Sequence, residues 1–390
     1  FDSKNIFDDD GLAANVENCP LFFDNAETSG GGTSTAFTAN ESSQSLSVSA
    51  STAGTRVRQT KMRFNYQPGK SQLIINTFNM GGTSAGITKR EGFFDEKNGI
   101  FLEFSGTTIN LVRRTFVTAS AVDTKISQAN WNIDPMNGTG PSKANLDWDK
   151  AQLMVIDFQW LGTGRVRIGF AVNGGVQYVH EFHNANNFST VYMSTPNLPL
   201  RTEISNDGTG GVETITQICS TVISEGGSQD LGVIRYASTA GTALSATTEN
   251  TIYALLGIRL KAEYIGATIK LLNTALQIQT ASSKLEWILK FNPTVGGTFT
   301  YNDQTNSAVQ IAVGGSANTI VAGIDLGGGF FETGTAAVGT AGSTEKSLDN
   351  AIHLGSKIDG TVDEIVLCVR PIAGSVNVDV EGSLTWRELI

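Results

Sequence analysis

The chain is short of histidine, cysteine and charge, and it has no long apolar run. Each shortage removes a class of function. Three histidines in 390 residues leave little material for an imidazole metal site. Three cysteines, Cys19, Cys219 and Cys368, stand far apart with no Cys-x-x-Cys among them. Neither a zinc ribbon nor a dithiol redox centre is indicated, and no disulfide framework is expected. Charged residues make up only 16%, below the roughly 25% of ordinary globular chains. The balance is acidic, with a net charge of −10. Binding nucleic acid through its phosphates needs clustered Lys and Arg, so no nucleic-acid partner is expected. No apolar run approaches the ~18 residues that cross a bilayer, so no membrane span is expected. The opening "FDSKNIFDDDG" lacks the basic-then-apolar order of a signal peptide.

Glycine (43 residues), serine, threonine and asparagine fill the gap, and these are residues of turns and strand surfaces. No amphipathic helical block is present. The length suffices for two domains, each with its own core. The expected fold is all-β: two antiparallel β-sandwich (jelly-roll-like) domains with a Ser/Thr/Gly-rich N-terminal segment. Residues 1–55 read as a polar N-terminal arm or edge strands, and such a segment often orders only on a partner. Residues 56–215 read as a concanavalin-like sandwich and residues 216–390 as a second sandwich. The clearest pattern is "LMVIDFQWLGTGRVRIGFAVNGGVQYVHEF". Met154, Ile156, Phe158 and Trp160 fall on one face of a strand, and Val166, Ile168, Phe170 and Val172 on one face of the next. Asn173-Gly174 is a type I′ hairpin signal. The third strand places Val176, Tyr178, His180 and Phe182 together. A period of two held through three strands excludes a helix.

Each candidate site has a plainer explanation. His180 and His183 are three apart on a predicted strand, so their rings point to opposite faces, and His353 is distant. A satisfied sheet histidine is expected at 180. Asp157, Glu181 and Glu203 are the acids that glycoside hydrolysis would need in facing pairs, yet one acid per strand is ordinary. Asp147 and Asp149 lack the dense Asp-x-Asp-x-Asp-Gly spacing of a calcium loop. "LGTGRVRIG" and "DLGGGF" superficially resemble phosphate loops but fit neither glycine fingerprint, and both read as turns. Gly-x-Ser-x-Gly is absent, and Cys368 in "EIVLCVR" reads as a buried thiol. Asn40, Asn137 and Asn187 begin glycosylation tripeptides, which matter only in a secretory pathway. Among Trp131, Trp148, Trp160, Trp287 and Trp386, Trp131 is the least obviously buried and the best candidate for stacking on a sugar. "RVRQTKMR" and "GRVR" offer localised positive edges. No catalytic, cofactor-binding or metal-binding residue is predicted, no cofactor is expected, and the chain is expected not to be an enzyme.

Residues ~90–205 contain, in order, "REGFFDEKNGIFLEFSGTTINLVRRTFV", "WLGTGRVRIGF", "YVHEFHNANN" and "TPNLPLR". This third of the chain resembles a family of virion-associated structural proteins of tailed bacteriophages and other large, particularly aquatic, DNA viruses. The resemblance implies a virion location and a role as a capsid decoration, minor capsid, tail or fibre protein. It implies assembly with other virion proteins, such as the major capsid protein, and with further copies of itself. The alternative is a carbohydrate-binding adhesin module that recognises a host glycan.

Overall fold

Alternation leaves each strand one apolar face to cover, and this chain covers it by packing sheet on sheet. The computed structural model describes residues 1–5, 22–227, 229, 231–334, 342–344 and 353–390; Cys19 and part of the N-terminal segment lie outside these. The chain divides into two compact units, residues 1–5 with 22–229, and the residues beyond 230.

The first unit runs β1 (Asp2–Ser3), β2 (Phe23–Gly30), β3 (Thr33–Thr38), β4 (Ser43–Val48), β5 (Gly54–Thr60), β6 (Gln72–Asn79), β7 (Ile87–Phe94) and β8 (Gly99–Ser105). It continues with β9 (Thr108–Thr115), β10 (Val122–Ser127), β11 (Gln152–Phe158), β12 (Val166–Val172), β13 (Gly175–Phe182), β14 (Leu200–Asn206) and β15 (Glu213–Ser224). One sheet has the order β13-β12-β11-β6-β15-β4-β3, with β1 beside β15; the other is β10-β9-β8-β7-β14-β5-β2. All pairings are antiparallel. Ile74, Phe78, Met154, Ile156, Phe158 and Ile168 from the first sheet meet Phe93, Ile100, Leu102, Leu111 and Ile204 from the second in one core. Each such buried side chain contributes ~1.5–3 kcal/mol.

Asn173 and Gly174 both have positive φ, 54° and 83°, as a type I′ turn requires. The next strand departs from simple alternation. A bulge shifts the β12–β13 register between Ile168 and Gly169. His180 and Phe182 keep their buried face, Val179 is also buried, and Val176 is 48% exposed. Tyr178 instead lies under the Arg167 guanidinium, 4.3 Å from its ring centre. The Ser/Thr/Gly-rich segment is built into the unit: β2 and β3 are edge strands of the two sheets. Even Phe1 is engaged, its amine donating to Val222 O at 3.2 Å and its ring lying 5.0 Å from that of Phe64.

The second unit runs β16 (Val233–Ser238), β17 (Leu244–Ala246), β18 (Tyr253–Leu260), β19 (Thr268–Ile278), β20 (Lys284–Phe291), β21 (Thr294–Val295) and β22 (Asn302–Asp303). β23 (Val309–Val313), β24 (Ile320–Val321), β25 (Ile324–Glu332), β26 (Gly342–Thr344), β27 (Glu364–Pro371) and β28 (Val378–Leu389) complete it. Its sheets are β16-β28-β19-β26 and β22-β23-β18-β27-β20-β25, packed around Leu255, Ile258, Trp287, Leu367, Val380 and Trp386. The chain is thus all-β, with antiparallel sandwiches of the jelly-roll kind. "DLGGGF", expected to be a turn, lies inside β25. A side chain at Gly329 would meet the Trp287 indole nitrogen at 2.6 Å, so this glycine serves packing. Among the described residues no helix is long and apolar enough to cross a membrane.

Candidate functional site

The residues singled out from sequence do not converge. Trp131 is 4% exposed, stacks 6.0 Å from Phe170, and donates its indole N–H to Ile126 O, so it offers no sugar platform. Trp160 donates to Met193 O, and Trp148 packs edge-on against Phe104 and Phe170. Trp287 and Trp386 are buried. His180 is a satisfied sheet histidine: Nδ1 accepts the Asn132 backbone N–H at 3.2 Å. Burial, then the charges of His183 and Arg113, hold its pKa down at about 4. Asp147 caps a local turn, accepting the Asp149 N–H at 3.1 Å. Cys368 is buried, and burial pushes its thiol pKa up. The positive edges are not free. Arg58 and Lys61 are 1% and 2% exposed, and the Arg58 guanidinium donates to Gln217, Asn25 and Asn5. Arg165 and Arg167 both meet Asp157.

Asp157 and Glu181 stand on the sheet containing β11 and β13, whereas Glu203 stands on the opposite sheet. The partner that Glu203 finds is Glu103, which the sequence did not suggest. Glu203 on β14, Arg90 on β7 and Glu103 on β8 are directly opposite in register. They form a row across the outer face of the seven-stranded sheet. The two carboxylate-bearing strands are two strand spacings apart, roughly 10 Å. Arg90 Nε donates to Glu103 Oε2 at 2.9 Å and its Nη1 to Glu203 Oε1. Lys125 Nζ donates to Glu103 Oε1 at 2.6 Å. Arg201 donates twice to Glu203 Oε2, at 3.1 and 2.7 Å. Every carboxylate oxygen of the row is therefore held by a cation. Burial pushes the Glu203 pKa up, but the Arg201 and Arg90 charges outweigh it and hold it below the ordinary range. Beside the row, Phe94 and Phe101 pack with their centroids 4.3 Å apart, and Arg114 and Arg201 lie over these rings.

Two residues further along each strand, on the same outer face, the charges give way to hydroxyls. Ser29, Thr55, Ser205, Thr88, Ser105 and Thr108 occupy matched positions on β2, β5, β14, β7, β8 and β9. Their spacing is that of neighbouring strands, ~4.8 Å. Ser29 donates to Thr55 at 3.0 Å. Thr88, Ser105 and Ser205 make no side-chain hydrogen bond among the described residues. Thr55, Thr88, Ser105 and Ser205 line an open depression of about 470 Å³, with Gly86, Gly106, Asn206 and Asp207 at its rim. Two glycines shape this rim. Gly106, at φ 57°, opens the two-residue turn between β8 and β9. Gly86, at φ 75°, has Thr209 Oγ1 only 2.5 Å from where a side chain would begin. Asp207 is tied to the Thr209 hydroxyl and N–H, which hold its pKa below the usual carboxylate value.

A second polar group escaped the sequence reading. Glu91 faces inward, 1% exposed, and accepts the Thr202 hydroxyl at 2.6 Å. Burial raises its pKa to about 8, against the opposing Thr202 hydrogen bond and the Arg58 charge. It is therefore a neutral acid at pH 7. The available signal was "TKREGFF", where a carboxylate falls on the apolar face of an alternating strand.

No protein-family model matches the chain, and no curated protein matches its sequence. Solved structures do align with it. The Bacteroides ovatus mixed linkage glucan PUL GH16 shares 10% identity at a TM-score of 0.37, over 57% of this chain and 99% of that one. A glycoside hydrolase family protein from Mycobacterium thermorestibile shares 10% at 0.38, over 57% and 99%. The carbohydrate recognition domain of Emp47p shares 8% at 0.33, over 54% and 91%. The expectation that the chain is not an enzyme is not upheld, glycoside hydrolases being among the structures that align with it. It had rested on the absence of any catalytic constellation; Glu103 and Glu203 do share one sheet face, but with every oxygen bound to a cation they are not a free acid pair. At this similarity the alignments carry over neither activity nor residues.

Proposed function

We propose that the first sandwich binds a neutral carbohydrate chain on the outer face of its seven-stranded sheet, along the hydroxyl row. The observation that carries this is the set of unengaged hydroxyls, Thr88, Ser105 and Ser205, on adjacent strands above an open depression. Sugar hydroxyls both donate and accept, and serine and threonine hydroxyls match them in kind. The neighbouring charged row has no free oxygen, so it rigidifies the floor without drawing in ions. With no exposed tryptophan to stack on a ring, affinity comes from several hydrogen bonds of about 0.5–1.5 kcal/mol each. A neutral oligosaccharide array tests this with the chain and its Thr88→Val/Ser205→Ala variant. Retention of a neutral glycan that the variant loses supports the proposal. No retention, or equal retention, overturns it.

A second reading is a virion surface component that assembles with other virion proteins and with its own copies. It is favoured by the likeness of residues ~90–205 and by edge strand β16, where Val233, Ile234 and Tyr236 are 50%, 56% and 58% exposed. Unprotected apolar edges are prone to pair with another chain. Native mass by light scattering, followed by electron microscopy, tests it. A stable oligomer or fixed positions on a particle supports assembly, and a monomer absent from particles overturns it.

A further inference from the structure

Arg113 and Arg114 are consecutive on β9 and point to opposite faces. Arg114, on the outer face, grips Asp123 with two hydrogen bonds of 2.8 and 3.0 Å. Arg113 points inward, is 9% exposed, and meets no carboxylate among the described residues. Its hydrogen-bond partners among the described residues are neutral: Nη1 donates to Asn184 Oδ1 at 2.6 Å and Nη2 to Thr124 Oγ1 at 3.3 Å. Asn184 is itself fixed, because its Nδ2 donates to Gly164 O at 2.6 Å. The guanidinium carbon lies 4.6 Å from the Phe188 ring centre and 5.4 Å from that of Phe182. The titratable groups around it are Tyr192 and His180, with His183 beside His180. None supplies a negative charge at neutral pH. Burial lowers the Arg113 pKa.

Such an arrangement is unusual on physical grounds. A buried cation is normally matched by an anion, because desolvation costs several kcal/mol that only a counter-charge repays well. This chain has 37 acidic residues against 27 basic ones, so acids were available. On the same sheet Arg90, Arg114 and Arg201 all have one. An arginine keeps a planar fork of donors, and two of the five N–H groups are engaged here. The Phe182 and Phe188 rings stabilise the cation and leave that fork able to receive a planar anion. Phe188 is 40% exposed.

We propose that Arg113 anchors a binding site for a small organic carboxylate, such as the acid group of a uronic acid, with Phe188 as its outer wall. Asn184 and Thr124 orient the guanidinium, and the ligand supplies the missing negative charge. The site lies on the inner side of β9 and does not depend on the outer hydroxyl row.

The test is the unfolding midpoint of the whole chain with sodium glucuronate, sodium acetate, glucose, or sodium chloride at matched ionic strength. A saturable rise of about 2–4 °C with glucuronate or acetate, absent with glucose and chloride, is expected. Arg113→Met, which fills the space without the charge, is expected to be at least as stable as the parent without ligand and to lose the response. No response beyond chloride overturns the proposal. So does an Arg113→Met chain that folds but is markedly less stable, since the arginine would then be structural. If Arg113→Met does not fold, Phe188→Ala decides: a response weakened about threefold or more supports the site, and an unchanged response overturns it.

Discussion

Two rows of side chains lie side by side on one sheet face, two residues apart along each strand, and they differ in what is left over. In the Glu103–Arg90–Glu203 row each carboxylate oxygen is taken by a cation. In the row from Ser29 to Thr108, the three central hydroxyls of Thr88, Ser105 and Ser205 make no side-chain hydrogen bond among the described residues. A saturated row stabilises and has no capacity for a ligand, whereas an open row contributes little to stability and is free to recognise one. The same contrast separates Arg114 from Arg113 on a single strand. Chemistry of the residue type does not distinguish these groups; unused bonding capacity does.

The largest effect expected from breaking the contrast is on the charged row. Arg90→Met leaves Glu103 and Glu203 facing each other with their central cation gone. Lys125 and Arg201 still hold one oxygen each, so the loss sits at the lower end for a broken buried pair, about 3 kcal/mol. Urea unfolding measures it, and a loss below about 1 kcal/mol would show that the row does not hold the sheet together.

The interior acid gives a smaller, pH-dependent effect. Glu91 has a folded pKa of about 8, above its unfolded value near 4.5, so the folded state keeps a proton that the unfolded state releases. Its contribution is fully present below pH ~4.5, declines by about 1.4 kcal/mol per pH unit above that, and is gone above pH ~8. Glu91→Gln removes this decline. Unfolding free energies of both proteins from pH 5 to 9 check it, and parallel profiles would contradict the neutral buried acid.

The smallest stability effect belongs to the hydroxyl row. Thr88→Val/Ser205→Ala is near-isosteric on an open surface and should shift stability by less than about 0.5 kcal/mol. Its oligosaccharide affinity should nevertheless fall about tenfold, as two lost hydrogen bonds imply.

Much of the fold was legible because alternation is local. Met154, Ile156 and Phe158 announce a core face, and Asn173-Gly174 announces its hairpin. What failed did so for reasons of long-range pairing. Glu103 and Glu203 are a hundred residues apart and meet through the β8-β7-β14 order, which no local pattern encodes. "RVRQTKMR" looked like a basic edge, yet Arg58 and Lys61 are buried, and Arg58 is engaged by Gln217, Asn25 and Asn5, all distant in sequence. Trp131 lies in a turn-rich stretch, but that loop lays its indole on Phe170. The glycines of β25 read as turn residues, while the strand uses Gly329 to admit Trp287. The hydroxyl row was hidden for the same reason as the acid pair: each member is an ordinary strand serine or threonine until register aligns them.

The most direct test of the central claim is titration calorimetry of an array-selected neutral oligosaccharide into the parent chain and into Thr88→Val/Ser205→Ala, with the unfolding midpoint of each measured on the same material. The account predicts saturable binding to the parent, about tenfold weaker binding to the variant, and midpoints that coincide. Equal affinity in the two proteins would contradict it and remove the hydroxyl row from the binding surface.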